Sequence, residues 1–108
     1  MSSDRIHKLR DFLKEDPEDT FTRFALALEF VKREELDNAR DTFLEIQNHN
    51  PDYVGVYYHL GKVYEMLNNP DHALKTYNDG ITVARQQQDH HSESELQQAK
   101  QELQLEND

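Results

Sequence analysis

The sequence predicts an all-α fold, antiparallel helix-turn-helix repeats stacked into a short solenoid. Three observations carry that reading. The 108 residues include only three glycines and three prolines, too few turn formers for an all-β chain. Apolar residues recur at three- and four-residue spacings in six separate stretches. A shift of 34 residues also lays the chain on itself: Leu26 falls on Leu60, Ala27 on Gly61, Phe30 on Tyr64, Ala39 on Ala73 and Phe43 on Tyr77. A period of that size holding two helices is what a helical solenoid produces.

Taken in order, Ile6, Leu9, Phe12 and Leu13 define a first short helix. Leu26 and Phe30 define a second, across roughly residues 19–33, and Ala39, Phe43 and Ile46 a third. Val56, Tyr57, Leu60, Val63, Tyr64 and Leu67 make the fourth, and Ala73, Leu74, Tyr77, Ile81 and Ala84 the fifth. The sixth carries one thin stripe, Leu96, Ala99 and Leu103, in a Gln- and Glu-rich background. Each proline follows a capping residue, in Asp16-Pro17, Asn50-Pro51 and Asn69-Pro70, and acidic residues follow each proline. Proline costs nothing in a first helical turn, where its missing N–H has no intrahelical partner, so all three pairs are expected to start helices. Short connections force antiparallel neighbours.

The shift also sets Leu9 under Phe43, Phe12 under Ile46 and Pro17 under Pro51. Residues 5–17 therefore look like the second half of a repeat, followed by repeats at 20–53 and 54–87. A further shift places Ser94, Glu95 and Gln98 opposite Leu60, Gly61 and Tyr64, which rules out a third copy. Residues 92–106 suit a capping helix, one face on the stack and the other in water; a disordered tail is the alternative. The whole chain, 1–108, reads as a single domain.

The copies resemble the tetratricopeptide repeat family. The better one runs Tyr57-x-x-Leu60-Gly61-x-x-Tyr64, then Ala73-x-x-x-Tyr77, with Arg85 in place of the closing proline. The first has Leu26-Ala27, Phe30, Ala39, Phe43 and Pro51, but Arg23 where a large aromatic is expected. The resemblance covers about residues 5–88. It implies a module that binds peptides or partner proteins, with the first helix of each repeat lining a concave groove. On that register the groove carries Phe21, Phe24, Leu28 and Val31 from one repeat and Gly55, Tyr58, Lys62 and Glu65 from the next. Some family members grip a C-terminal carboxylate with basic groove residues. Phe24 and Leu28 stand at such positions here and leave Lys62 as the single cation, which argues against that clamp.

Composition narrows the partners. With 22 Asp+Glu against 12 Lys+Arg the net charge is −10, which repels nucleic acid and anionic lipid and favours basic or neutral protein segments. Solubility alone is the competing explanation of the acidity. Without cysteine, disulfides and thiolate metal sites are excluded. An N-terminus of alternating charge does not read as a secretory signal, and no apolar run would span a membrane, so the expectation is a cytoplasmic protein.

The expected partner-binding residues are Phe21, Phe24, Leu28, Val31, Tyr58 and Lys62. The first four form a second apolar stripe on a helix that Leu26, Ala27 and Phe30 already anchor. Such a stripe binds a partner, pairs with a second copy in a homodimer, or lies under residues 4–15 and the last helix. A homo-oligomerising structural domain, or one piece of a larger scaffold, is thus the alternative function. No catalytic, cofactor or metal residues are expected. The six histidines lack an H-E-x-x-H spacing, and His90-His91 diverge by about 100° on a helix, so each is read as solvated or cap-associated. A His/Glu hydrolase is the remote enzymatic alternative.

Overall fold

The computed structural model describes residues 2–107. It contains α1 (Ser2–Glu15), α2 (Thr20–Lys32), α3 (Leu36–His49), α4 (Gly55–Met66), α5 (Pro70–Gln86) and α6 (His90–Glu106). No strand occurs among the described residues. Each helix packs against its neighbours in the chain, and α4 also meets α6, giving an elongated body of 41 × 29 × 19 Å.

One core runs the length of the stack through residues that repeat at the 34-residue spacing. Ala27, Phe43, Leu60 and Tyr77 are fully buried, and Leu26, Phe30, Gly61 and Tyr64 lie beside them. Two glycines set how closely helices approach. A Cβ at Gly61 would overlap the Tyr77 ring, 2.7 Å from Cδ1, and one at Gly80 would lie 2.5 Å from Cβ of Tyr57 and 3.0 Å from Leu96. The second contact is where α6 closes over the α4–α5 pair, burying Leu96, Ala99 and Leu103.

The helix starts correct the proline reading. Only Asn69-Pro70 opens a helix; Pro17 and Pro51 lie in the turns before α2 and α4. The cap of α2 is Asp19, whose carboxylate accepts from the Thr22 N–H at 3.3 Å and the Thr22 hydroxyl at 2.6 Å. Asp89 caps α6 through Ser92 in the same way, and these bonds hold both carboxyls below their usual range. Pro51 serves a different purpose, since its carbonyl accepts a 2.6 Å bond from the Tyr57 hydroxyl and ties the turn to the repeat that follows.

Helix ends follow one rule. Glu34, Asn68 and Gln88 sit at φ 60°, 59° and 58°, each just past the C-cap of α2, α4 or α5. After α2, the Glu35 N–H donates to Phe30 O and the Glu34 N–H to Val31 O, both at 2.9 Å. The pattern repeats for Asn69 and Asn68, and for Asp89 and Gln88. These are Schellman turns that satisfy the last carbonyls, built without the glycine that usually occupies the left-handed position.

The first helix departs from expectation at Phe12, which is 64% exposed while Ile6 is 5% exposed. A helix that packs against one neighbour buries a single stripe. Ile6, Leu9 and Leu13 share that stripe, and Phe12 lies about 120° round from Ile6 at 100° per residue. Arg5 Nε reaches across to the buried carboxylate of Glu29 at 3.2 Å, and Arg10 lies over the Phe30 ring at 5.6 Å.

Candidate partner-binding groove

Of the first helices of successive hairpins, α4 packs against α6 and reaches α2 through ring contacts. His59 of α4 marks the junction with α2: its ring meets Phe24 edge-on at 5.3 Å and stacks on Phe43 at 6.1 Å. Phe24 also contacts Phe43 and Tyr53, and Tyr58 meets His59 at 5.5 Å. A half-buried aromatic cluster therefore floors the α2–α4 side.

Two expectations change here. Phe24 is not a free surface anchor apart from the core, because its ring packs against fully buried Phe43. His59 is not solvated; burial pushes its pKa down, against a smaller upward pull from Glu95. The other histidines fit the bland reading where contacts are seen: His72 bonds Asn69 of the α5 cap, and His49 bonds a carbonyl one turn back. His91 lies 3.6 Å from Glu95 on exposed helix surface. Among the described residues no group of three His, Asp or Glu side chains is arranged to hold a metal, and no helix is long and apolar enough to cross a membrane.

The structure separates the sequence-predicted residues. Phe21 is 76% exposed and Leu28 37%, whereas Phe24, Val31 and Tyr58 are partly buried at the core's edge. Neither α1 nor α6 closes over the whole stripe: α1 meets α2 at Glu29 and Phe30, and α6 packs on α5 and α4. Lys62 is already engaged, with Nζ 3.8 Å from Glu65 and 5.6 Å over the Tyr58 ring. Glu65 in turn accepts a short hydrogen bond from the Tyr77 hydroxyl; burial first and this bond second push the tyrosine pKa far up. An engaged lysine is a poor clamp for an incoming carboxylate.

Sequence reasoning placed α6 as a capping helix but missed it as a wall of the groove. Glu95, Gln98, Ala99 and Glu102 form the wall opposite Tyr58 and Lys62. A second depression continues from it between Val54, Gly55, His59 and Ser92, so the α4–α6 channel is continuous through Tyr58 and Glu95. The signal was available: after two hairpins, the next helix must occupy a first-helix position even when its sequence breaks the repeat. Arg23, the residue out of pattern, fills its aromatic position as a cation, 3.4 Å from Glu45 of α3.

No protein-family model matches the chain, and no curated protein does. Solved structures do. A tetratricopeptide repeat domain protein from Salinibacter ruber, in solution, is 50% identical over 82% of this chain and 89% of its own, with a TM-score of 0.78. The chain belongs to the tetratricopeptide repeat family. A protein from Bordetella parapertussis superposes at a TM-score of 0.83 over 94% of this chain and 89% of its own, at 22% identity. The MamA protein does so at 0.71 over 95% of this chain and 58% of its own, also at 22% identity. These last two share the fold. Tetratricopeptide repeat domains are in general protein-interaction modules.

Proposed function

We propose that this tetratricopeptide repeat domain binds a segment of a partner protein along the face formed by α2, α4 and α6, without catalysing a reaction. The observation that carries the reading is the row Phe24, His59, Tyr58: half-buried rings held rigidly by the core and open on one side. Rigid aromatic anchors at the centre of a contact supply most of its binding energy. Leu28 and Val31 extend the row on α2, with Phe21 at its edge. The organisation that supports it is a half-repeat at 5–17, repeats at 20–53 and 54–87, and a cap at 92–106. A partner on this face is a protein, not nucleic acid or a membrane, because the surface field is acidic. The setting proposed for it is the cytoplasm.

Photo-crosslinkers placed at Leu28, Lys62 and Lys75 test this. Lys75 lies exposed on α5, outside the row. Capture of one partner from positions 28 and 62, and not from 75, is expected, and Tyr58→Ala should weaken that partner by about 1–3 kcal/mol. Equal capture from position 75 would move the binding surface to the opposite side. Crosslinks to a second copy of the chain would make the face a homo-oligomer contact.

A further inference from the structure

The α4–α6 channel has a charge character that the whole-chain balance does not reveal. Its lining is Tyr58, Lys62, Glu95, Gln98, Ala99 and Glu102. The only cation among them, Lys62, is occupied by Glu65 and by the Tyr58 ring. Glu95, 3.6 Å from the His91 ring, and Glu102, which accepts a 3.1 Å hydrogen bond from Gln98, are the carboxylates of the lining and set the sign of the channel. They are seven residues apart, so they project from the same edge of α6 about 10 Å from one another. Glu95 adjoins both depressions, and Glu102 closes the far end of one. The Tyr58 ring lines the same depression, with Lys62 over one of its faces at 5.6 Å and the rest of the ring an apolar, electron-rich surface.

From this complementarity we infer that the channel takes an extended, basic segment of a partner protein, with two Lys or Arg side chains three positions apart and an apolar side chain between them. The inference rests on the proposed groove reading and names the chemistry of its occupant. An extended polyproline-type backbone brings residues i and i+3 back to one edge about 9 Å apart, matching the two carboxylates. The intervening side chain then lies on Tyr58. Concave walls focus the field of Glu95 and Glu102 on the segment, so the pairing acts on recognition and on the rate of encounter. A partner tail ending in a carboxylate is disfavoured by the same groups.

The test titrates the full chain with a fluorescein-labelled peptide, Gly-Arg-Pro-Leu-Arg-Gly, followed by anisotropy. Control peptides replace both arginines by glutamine or by glutamate, or place the arginines side by side. The spaced arginine peptide should bind tightest and the glutamate peptide not at all. Glu95→Gln and Glu102→Gln should each weaken the arginine peptide about two- to fivefold, as single exposed ion pairs do, and leave the glutamine peptide unchanged. Glu18→Gln, an exposed acid outside the channel, should have no effect.

Equal loss with Glu18→Gln, no loss when Glu95→Gln and Glu102→Gln are combined in one protein, or no binding of the arginine peptide would overturn the inference. So would equal affinity for the side-by-side arginines. The groove reading survives such failures if the photo-crosslinks at Leu28 and Lys62 still capture a partner sensitive to Tyr58→Ala. It fails separately if they do not.

Discussion

Gly61→Ala sets two elementary effects against each other. In the interior of α4, alanine is the better helix former by about 1 kcal/mol, so propensity alone predicts a more stable protein. The contact predicts the reverse. The new Cβ would enter the face of the Tyr77 ring, 2.7 Å from Cδ1 and Cζ, where ordinary contact begins near 3.4 Å. The ring has nowhere to go, since Tyr77 is fully buried and its hydroxyl is held by Glu65. Overpacking of this kind costs about 1–3 kcal/mol. Weakening the hydrogen bond to a carboxylate adds about 1 kcal/mol, which roughly cancels the propensity gain. The net expectation is a loss of about 1–3 kcal/mol, or about 5–15 °C in melting temperature for a domain of this size.

Thermal and urea unfolding followed by circular dichroism would measure it. Gly80→Ala should be worse, because its obstacle is Cβ of Tyr57, which cannot swing aside without moving α4. Gly55→Ala is the control: its Cβ would meet only Tyr53 Cε2 at 3.7 Å, so stability should hold or rise slightly. A Gly61→Ala protein as stable as the parent, with Gly80→Ala equally silent, would refute the close-approach reasoning.

Three other measurements follow from the same contacts. Glu34→Gly and Gln88→Gly should each stabilise by about 0.5–1 kcal/mol, because both positions hold a left-handed backbone that a side chain strains; a lower melting temperature would contradict the Schellman assignment. Phe24→Ala should cost about 2 kcal/mol of stability through lost packing on Phe43 and His59, whereas Phe21→Ser, at 76% exposure, should stay within about 0.5 kcal/mol; similar effects at both would be the contrary result. Burial disfavours the charged form of His59, so its folded pKa lies below the ordinary histidine value of 6.5 while the unfolded chain keeps that value. Stability is then full above pH 6.5 and falls as pH drops through that value towards the folded pKa, since protonation favours the unfolded chain. His59→Gln should flatten the fall below the ordinary histidine pKa in denaturant titrations; an unchanged slope would place the titration elsewhere.

Much of the fold was legible because repetition is a strong signal: Leu26, Phe30 and Phe43 each have a counterpart at Leu60, Tyr64 and Tyr77, and all are buried. Helix starts were less legible. Asp16-Pro17 and Asn50-Pro51 carry the same chemistry as Asn69-Pro70, yet a turn and a helix start both accept a fixed φ without an N–H donor, so local sequence cannot separate them. Helix ends were silent, since Glu34 and Gln88 are not residues that announce a left-handed turn. At the candidate site, periodicity assigned α2 and α4 to the face proposed for binding. It could not show that Lys62 is neutralised by Glu65, that Phe24 and His59 share one aromatic cluster, or that α6 supplies the opposite wall. Those depend on which side chains meet across helices, and a 34-residue self-match says nothing of α6, which has no counterpart.

The two outer helices are fastened very differently. α6 is held by Leu96, Ala99 and Leu103, all nearly inaccessible, with the Arg85–Glu93 bridge at 2.7 Å beside them. α1 places one residue, Ile6, fully in the core, rests Leu9 and Leu13 against its edge, and adds the polar contacts of Arg5 with the shielded Glu29 and of Arg10 with Phe30. In a linear array, where each unit answers only to its neighbours, opening proceeds from whichever boundary is cheaper. Amide exchange should accordingly run as a gradient, fastest in α1 and slowest in α4 and α5. Each departure of α1 strips Glu29 of its cation and uncovers the flank of Phe30, so the proposed binding face would be remodelled from its α2 edge while the α4–α6 channel stays intact.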